Sequence, residues 1–223
     1  MMLCIREVLT RAELEQLRTA LAGAEFADGK ATAGYRGRRV KNNLQLSREN
    51  AVGKEIAPLV ERALWRNETF ARAVWPKQVR GILFSRYEPG MRYGNHVDNA
   101  IMGKANPWRS DVAFTIFLGD PADYDGGELV IESPVGTQEV KLAAGEAVVY
   151  PSSSVHRVAE VTRGRRLAAI GWVQSQVRDP AQREILYDLE RVKRLMAERL
   201  PDAPEADWAF KTQANLLRMW ADP

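Results

Sequence analysis

Two histidines occur in the 223-residue chain. The first stands in Met91-Arg92-Tyr93-Gly94-Asn95-His96-Val97-Asp98-Asn99, with a carboxylate two positions on. The second stands far along the chain, in Pro151-Ser152-Ser153-Ser154-Val155-His156-Arg157-Val158, and Arg166 follows it. Two neutral imidazoles and one carboxylate are the donor set for one face of a divalent iron, which leaves the opposite face for oxygen and a cosubstrate. A His-x-Asp triplet alone is common, and a lone histidine is more often structural than a ligand. Three features favour the metal. Histidine is scarce yet both copies sit in strand-like surroundings, the segments between them carry turn signals at the rhythm of an all-β domain, and an arginine follows His156 at the distance of the next strand.

The elements that must position these groups follow from the spacing. On a strand, residues i and i+2 face the same side. If Tyr93–Asn99 is extended, His96 and Asp98 converge and Val97 faces away. His156 must come from a strand near in space and far in sequence, as a rolled antiparallel sheet supplies. The sequence around these residues has that rhythm. Gln78–Tyr87 reads as a strand and Glu88-Pro89-Gly90 as a turn. Strands then follow at Asp111–Leu118, Glu128–Glu132, Gln138–Leu142, Glu146–Tyr150, around His156 and at Leu167–Val173, with glycine-containing turns between several of them. About eight strands with short connections suit a jelly roll, or double-stranded β-helix.

Helical periods flank this core. Thr10 and Glu13 form a capping box, with Leu9 and Leu14 placed as a staple and Leu14, Leu17 and Leu21 as the buried stripe. Ser47 is expected to cap a second helix with Ile56, Val60, Ala63 and Leu64 inside, and Asn67 a third. From Asp179 the period is helical again, with Ile185, Leu189, Val192 and Met196 on one expected inner face. Pro201-Asp202-Ala203-Pro204 breaks it before a last helix carrying Phe210, Ala214, Leu217 and Trp220, and Trp208 and Trp220 are expected to anchor packing. The expected class is therefore mainly β with flanking helices (α+β). A jelly roll over 78–177 is buttressed by a helical region and basic loop over 1–77 and a helical extension over 178–223. Ala31–Gln45 reads as that loop, and Arg38, Lys41 and Asn43 as a mobile, positive lip against substrate.

Composition narrows the setting. Hydrophobic content of 45% is that of an ordinary globule, and a net charge of +3 admits an anionic substrate without demanding nucleic acid. Cys4 is the only cysteine, which excludes an intramolecular disulfide and a cysteine-based zinc site. Charges at Arg6 and Glu7 argue against a secretory leader, and no apolar run reaches bilayer length. The expectation is a cytoplasmic protein without a membrane partner; oligomerisation stays open.

The chain resembles the Fe(II)- and 2-oxoglutarate-dependent dioxygenases, in their prolyl 4-hydroxylase-like branch, and most closely the PKHD-type hydroxylases. The resemblance rests on Thr32-Ala33-Gly34, Lys41-Asn42-Asn43-Leu44-Gln45-Leu46, the His96/Asp98 stretch, Asp125-Gly126-Gly127-Glu128-Leu129, Tyr150-Pro151-Ser152-Ser153-Ser154 and Gly171-Trp172-Val173-Gln174-Ser175. It implies His96, Asp98 and His156 as iron ligands, Arg166 as the anchor of the distal carboxylate of 2-oxoglutarate, and ascorbate as the reductant that keeps iron ferrous. It also implies hydroxylation of a small-molecule or peptide substrate and an association with iron uptake or homeostasis. An arginine suits the anchor because its planar fork meets a carboxylate in two parallel hydrogen bonds. Arg163 and Arg165 compete for that role by position. Strand parity groups Arg166 with Ala168 and Ile170, and Tyr87 is placed to add a hydroxyl. Two rivals are a nucleic-acid dealkylase of the same fold and a catalytically silent metal-binding jelly-roll module. By family analogy the dealkylases carry a second arginine where this chain has Trp172.

Overall fold

The computed structural model describes residues 1–46, 49–200 and 202–223. Two antiparallel sheets make the roll. The larger has seven strands in the order Leu3–Ile5, Ala147–Pro151, Val112–Phe117, Arg166–Ser175, Pro76–Tyr87, Leu44–Gln45 and Ala27–Asp28. The smaller has five, in the order Gly136–Val140, Leu129–Ser133, His156–Val158, Arg92–His96 and Lys41–Asn42. The central strand Val112–Phe117 is buried along its whole length because both its faces are covered. Val112, Phe114 and Ile116 pack towards the helices, whereas Ala113 and Phe117 pack inside the roll with Leu129, Ile131 and Val158 of the smaller sheet.

The helices before Pro76 cover the outer face of the larger sheet. Arg11–Ala22 starts at the expected capping box, with the Glu13 amide donating to Thr10 Oγ1 at 3.2 Å and the Thr10 amide to Glu13 Oε2 at 2.9 Å. Leu14, Leu17 and Leu21 are buried in the cluster that holds Ile56, Val60, Ala63 and Leu64 of Ala51–Arg66. Ser47 lies outside the described residues; the side chain that caps Ala51–Arg66 belongs to Asn50. Asn67 caps Glu68–Val74 as expected.

Glu13 is also bound in a fork by Arg66, at 2.7 and 2.8 Å. The hydrogen bonds from Arg66 hold its carboxyl down at about 2, against an ordinary 4.5. A depressed carboxylate stabilises the fold fully above its unfolded value, and that contribution is lost as pH falls through the folded one. The melting temperature of Glu13→Gln should therefore lie below wild type at pH 6 and converge on it towards pH 2. A constant gap across that range would show that the charge is not what matters.

Three expectations are corrected here. Ala31–Gln45 is not a loop: it runs through a 3-10 turn at Gly29–Thr32, a helix at Tyr35–Val40 and the two short strands Lys41–Asn42 and Leu44–Gln45. Those strands pair with different sheets, Lys41–Asn42 with Arg92 and Tyr93 and Leu44–Gln45 with Ser85 and Arg86, so the segment stitches the edge of the roll closed. The expected inner face of Pro180–Arg199 is also wrong, since Ile185 and Val192 are exposed and the buried residues are Arg183 and Leu186. Polar groups decide that orientation. Arg183 donates to the Val177 and Arg178 carbonyls, and buried Gln213 of Pro204–Trp220 donates to the Leu186 carbonyl and to Glu190. Trp208 is 60% exposed and so is not the packing anchor expected. Among the described residues no helix is long and apolar enough to cross a membrane.

Candidate metal centre

His96 is the last residue of Arg92–His96, and His156 the first of His156–Val158. The two are direct partners across the smaller sheet, with ring centroids 4.1 Å apart. Asp98 lies just past the end of its strand, so the convergence needs only one extended step beyond the sheet. Val97 between them is 50% exposed and faces away. One donor atom from each of His96, Asp98 and His156 lies within 4.8 Å of the others, and His156 Nε2 is 3.9 Å from Asp98 Oδ2.

The same local device orients both imidazoles. His96 Nδ1 lies 2.9 Å from the Gly94 carbonyl and His156 Nδ1 lies 3.0 Å from the Ser154 carbonyl, in each case two residues back. A carbonyl only accepts, so Nδ1 carries the proton and Nε2 keeps its lone pair for a metal. Burial, reinforced by His156, pushes the His96 imidazole down to about 3. Burial pushes the Asp98 carboxyl up, offset by His156, Trp172 and Lys41. Neutral imidazoles around a buried carboxylate are what a divalent cation relieves.

Tyr93 stacks on His96 with centroids 3.6 Å apart and planes 16° from parallel. Strict alternation would put residues 93 and 96 on opposite faces. The register slips between them: His156 pairs with His96, but Val158 pairs with Tyr93, so three steps on one strand match two on the other. An extra residue of this kind re-aims the side chains beyond it.

The second half of the site lies on the larger sheet. Arg166 opens Arg166–Ser175 and is 1% exposed. Tyr87 is its direct partner on the neighbouring strand, with the guanidinium carbon 5.2 Å from the Tyr87 ring centroid and 5.3 Å from that of Phe117. Among the described residues Arg166 Nε has no hydrogen-bond partner and no carboxylate is paired with the guanidinium. The competing arginines are elsewhere. Arg163 is exposed and bound to Asp125 at 2.7 Å, and Arg165 is exposed with Glu88 at 3.9 Å. Gly127 adopts φ +69°, and a Cβ there would stand 2.9 Å from Arg166 Cδ, so the Asp125-Gly126-Gly127 turn makes room for the arginine stem.

Of the expected lip, only Arg38 is exposed, its Nε donating to the Ala33 carbonyl at 3.0 Å. Lys41 and Asn43 are 5% and 2% exposed and form part of the wall. Lys41 Nζ donates to Thr32 Oγ1 at 2.9 Å and Gln45 Oε1 at 3.1 Å and lies 4.9 Å from the Tyr93 ring centroid. Burial lowers its ammonium to about 8. Sequence reasoning missed Tyr93, Tyr150 and Trp172 as site residues. Buried Tyr150 is edge-on to His156 at 5.1 Å and senses both Asp98 and Arg166, which ties the two halves together. Trp172 packs inside the roll, and its indole N–H, buried beside Asp98, helps hold that carboxyl down. An apolar run ending in Tyr150 carries no mark that separates it from an ordinary core strand.

The chain is similar along its length to known proteins. The 2OG-Fe(II) oxygenase superfamily pattern matches residues 82–174. A PKHD-type hydroxylase of Acaryochloris marina is 50% identical over 222 residues, covering 100% of both chains. A PKHD-type hydroxylase of Rippkaea orientalis is 50% identical over 99% of both. Among solved structures, a prolyl-4-hydroxylase of Pseudomonas putida has a TM-score of 0.53 at 18% identity, covering 78% of this chain and 92% of its own. The carbocyclase SnoK from nogalamycin biosynthesis has a TM-score of 0.56 at 15% identity, covering 79% and 80%. These two share the jelly-roll fold. Identity at this level along the whole length carries more than fold, and the chain belongs to the PKHD-type hydroxylases, Fe(II)- and 2-oxoglutarate-dependent enzymes of the 2OG-Fe(II) oxygenase superfamily.

Proposed function

We propose that His96, Asp98 and His156 hold Fe(II), and that Arg166 and Tyr87 receive the distal carboxylate of 2-oxoglutarate. The observation that carries this reading is Arg166: a fully buried guanidinium with an unpartnered Nε and no acidic partner among the described residues. A buried cation in aromatic surroundings is costly unless an anion joins it. Its planar fork suits a carboxylate, and Tyr87, directly opposite, offers a hydroxyl from the same face. Burial pushes that hydroxyl up to about 12, so it stays protonated and donates.

Bound Fe(II) supplies the chemistry that couples decarboxylation of 2-oxoglutarate, to succinate and carbon dioxide, with insertion of one oxygen atom of O₂ into a substrate C–H bond. The chain's own part is positioning. The carbonyls of Gly94 and Ser154 set the imidazole tautomers, the Tyr93 ring shields one side of His96, and Tyr150 and Phe117 keep water from the space between the metal ligands and Arg166. Ascorbate belongs to this reading as the reductant, and the substrate as a small molecule or peptide linked to iron uptake or homeostasis, in the cytoplasm.

The test is direct. Iron-loaded protein is incubated with 2-oxoglutarate, ascorbate and O₂ in extract of iron-starved cells. A metabolite or peptide that gains one oxygen atom, in step with succinate, is the expected result. Neither a product nor any succinate release, with metal and 2-oxoglutarate both bound, would favour the silent module instead.

A further inference from the structure

We infer that the Asn43 side chain is a third recognition group for the distal carboxylate of the cosubstrate, in line with Tyr87 and Arg166. The inference rests on the proposed role of Arg166 and extends it to a residue outside the strand pair that carries Arg166 and Tyr87.

Register places the three in one row. Leu44 pairs with Arg86 and Gln45 with Ser85, so one further step puts Asn43 opposite Tyr87. Tyr87 in turn pairs with Arg166. Residues directly opposite each other in antiparallel strands share a face. The row therefore runs across three neighbouring strands on the inside of the roll. Its position also explains why the amide is fixed. Asn43 is the single residue between Lys41–Asn42, which belongs to the smaller sheet, and Leu44–Gln45, which belongs to the larger. Its carbonyl accepts from the Gly29 amide at 2.9 Å. A Cβ at Gly29 would fall 2.0 Å from Asn43 Oδ1, so glycine there lets the backbone close over the amide.

The amide itself is under-satisfied. Asn43 is 2% exposed, yet among the described residues neither Oδ1 nor Nδ2 makes a hydrogen bond of good geometry, the Tyr87 hydroxyl being its polar neighbour, and Arg166 Nε also lacks a partner. Buried polar atoms without partners are rare and costly. Here donors from two residues, with the Tyr87 hydroxyl between them, are left open along one row. A carboxylate accepts several hydrogen bonds at once and would satisfy the Nδ2 donor, the Tyr87 hydroxyl and the guanidinium together. Burial raises the Tyr87 hydroxyl, and the Arg166 charge and then a hydrogen-bonding contact with the Asn43 amide oppose it, so the three groups already stand within reach of one another.

The test separates the distal carboxylate from the rest of the ligand. Under anaerobic conditions, 2-oxoglutarate and 2-oxobutanoate, which has no distal carboxylate, are titrated by calorimetry into the Mn(II)-loaded protein. Wild type is compared with Asn43→Ala, Asn43→Asp and Arg166→Ala, with metal content measured for each. Asn43→Ala should weaken 2-oxoglutarate by about tenfold to a hundredfold, the loss of one hydrogen bond to a charged group. It should leave 2-oxobutanoate within about twofold. Asn43→Asp keeps the shape of the side chain, so it guards against a folding defect. It sets a negative charge against the diacid and should weaken 2-oxoglutarate more than alanine does. Wild-type affinity for 2-oxoglutarate in both Asn43 variants would overturn the inference, and if Arg166→Ala still lost binding the Arg166 reading would stand. Equal weakening of both ligands would also overturn it, because Asn43 would then be shaping the wall and not reading the carboxylate. Wild-type binding in Arg166→Ala would remove the premise itself.

Discussion

Alanine at His96 or at His156 should abolish stoichiometric iron binding, and turnover with it. Each imidazole would be one of three protein donors, and both are set in tautomer by a backbone carbonyl two residues back. Losing an outer hydrogen bond of this kind costs a metal site roughly ten- to a hundredfold in affinity, and losing the donor itself costs more. Occupancy, measured as metal per chain after anaerobic loading and desalting, should fall from one to near zero. Val97→Ala is the control, because Val97 lies between two proposed ligands and points outward. Zinc or nickel is expected to compete in wild type, since both stand above Fe(II) in the divalent affinity order. Full occupancy in either histidine variant, with a wild-type circular dichroism spectrum, would end the assignment.

Alanine at Arg166 should leave metal content intact and raise the dissociation constant of 2-oxoglutarate by about tenfold to a few hundredfold. The charge-assisted fork is worth roughly 1.5–3 kcal/mol, and more if its removal strands a buried carboxylate. Arg166→Lys should recover part of the loss, since one ammonium cannot reproduce two parallel hydrogen bonds. Arg163→Ala and Arg165→Ala should change little, because the first arginine is held on the surface by Asp125 and the second points to solvent beside Glu88. The anaerobic Fe(II) protein reports binding through its visible charge-transfer band. A wild-type titration from Arg166→Ala, with weakening from either control, would identify the wrong arginine. No effect from any of the three would undermine the carboxylate anchor altogether.

What the sequence by itself determined is what depends on residue type and local period. His-x-Asp ending a strand, scarce histidine and turn glycines between apolar runs led to the jelly roll and to the three residues that converge. The capping box at Thr10 and the leucine stripe behind it were legible because helix starts are encoded within a few residues.

What only the tertiary structure decided depends on register and on which faces meet. Tyr93 reaches His96 because the pairing with His156–Val158 slips by a residue, and nothing in a period of two announces a bulge. Three nearby arginines are chemically alike; the resemblance and strand parity favoured Arg166, and the tertiary structure adds that it lies inside, paired with Tyr87, while Arg163 and Arg165 are exposed. Lys41 and Asn43 looked like a solvated basic lip, since charged and amide side chains usually are. They are buried because the chain crosses there from one sheet to the other with residues 41, 43 and 45 turned inward, while Asn42 between them faces out. Half of the expected stripe of Pro180–Arg199, Ile185 and Val192, faces outward, while the buried face holds Arg183 and Leu186 and meets Gln213, and the buried polar groups of Arg183 and Gln213 are satisfied by backbone carbonyls.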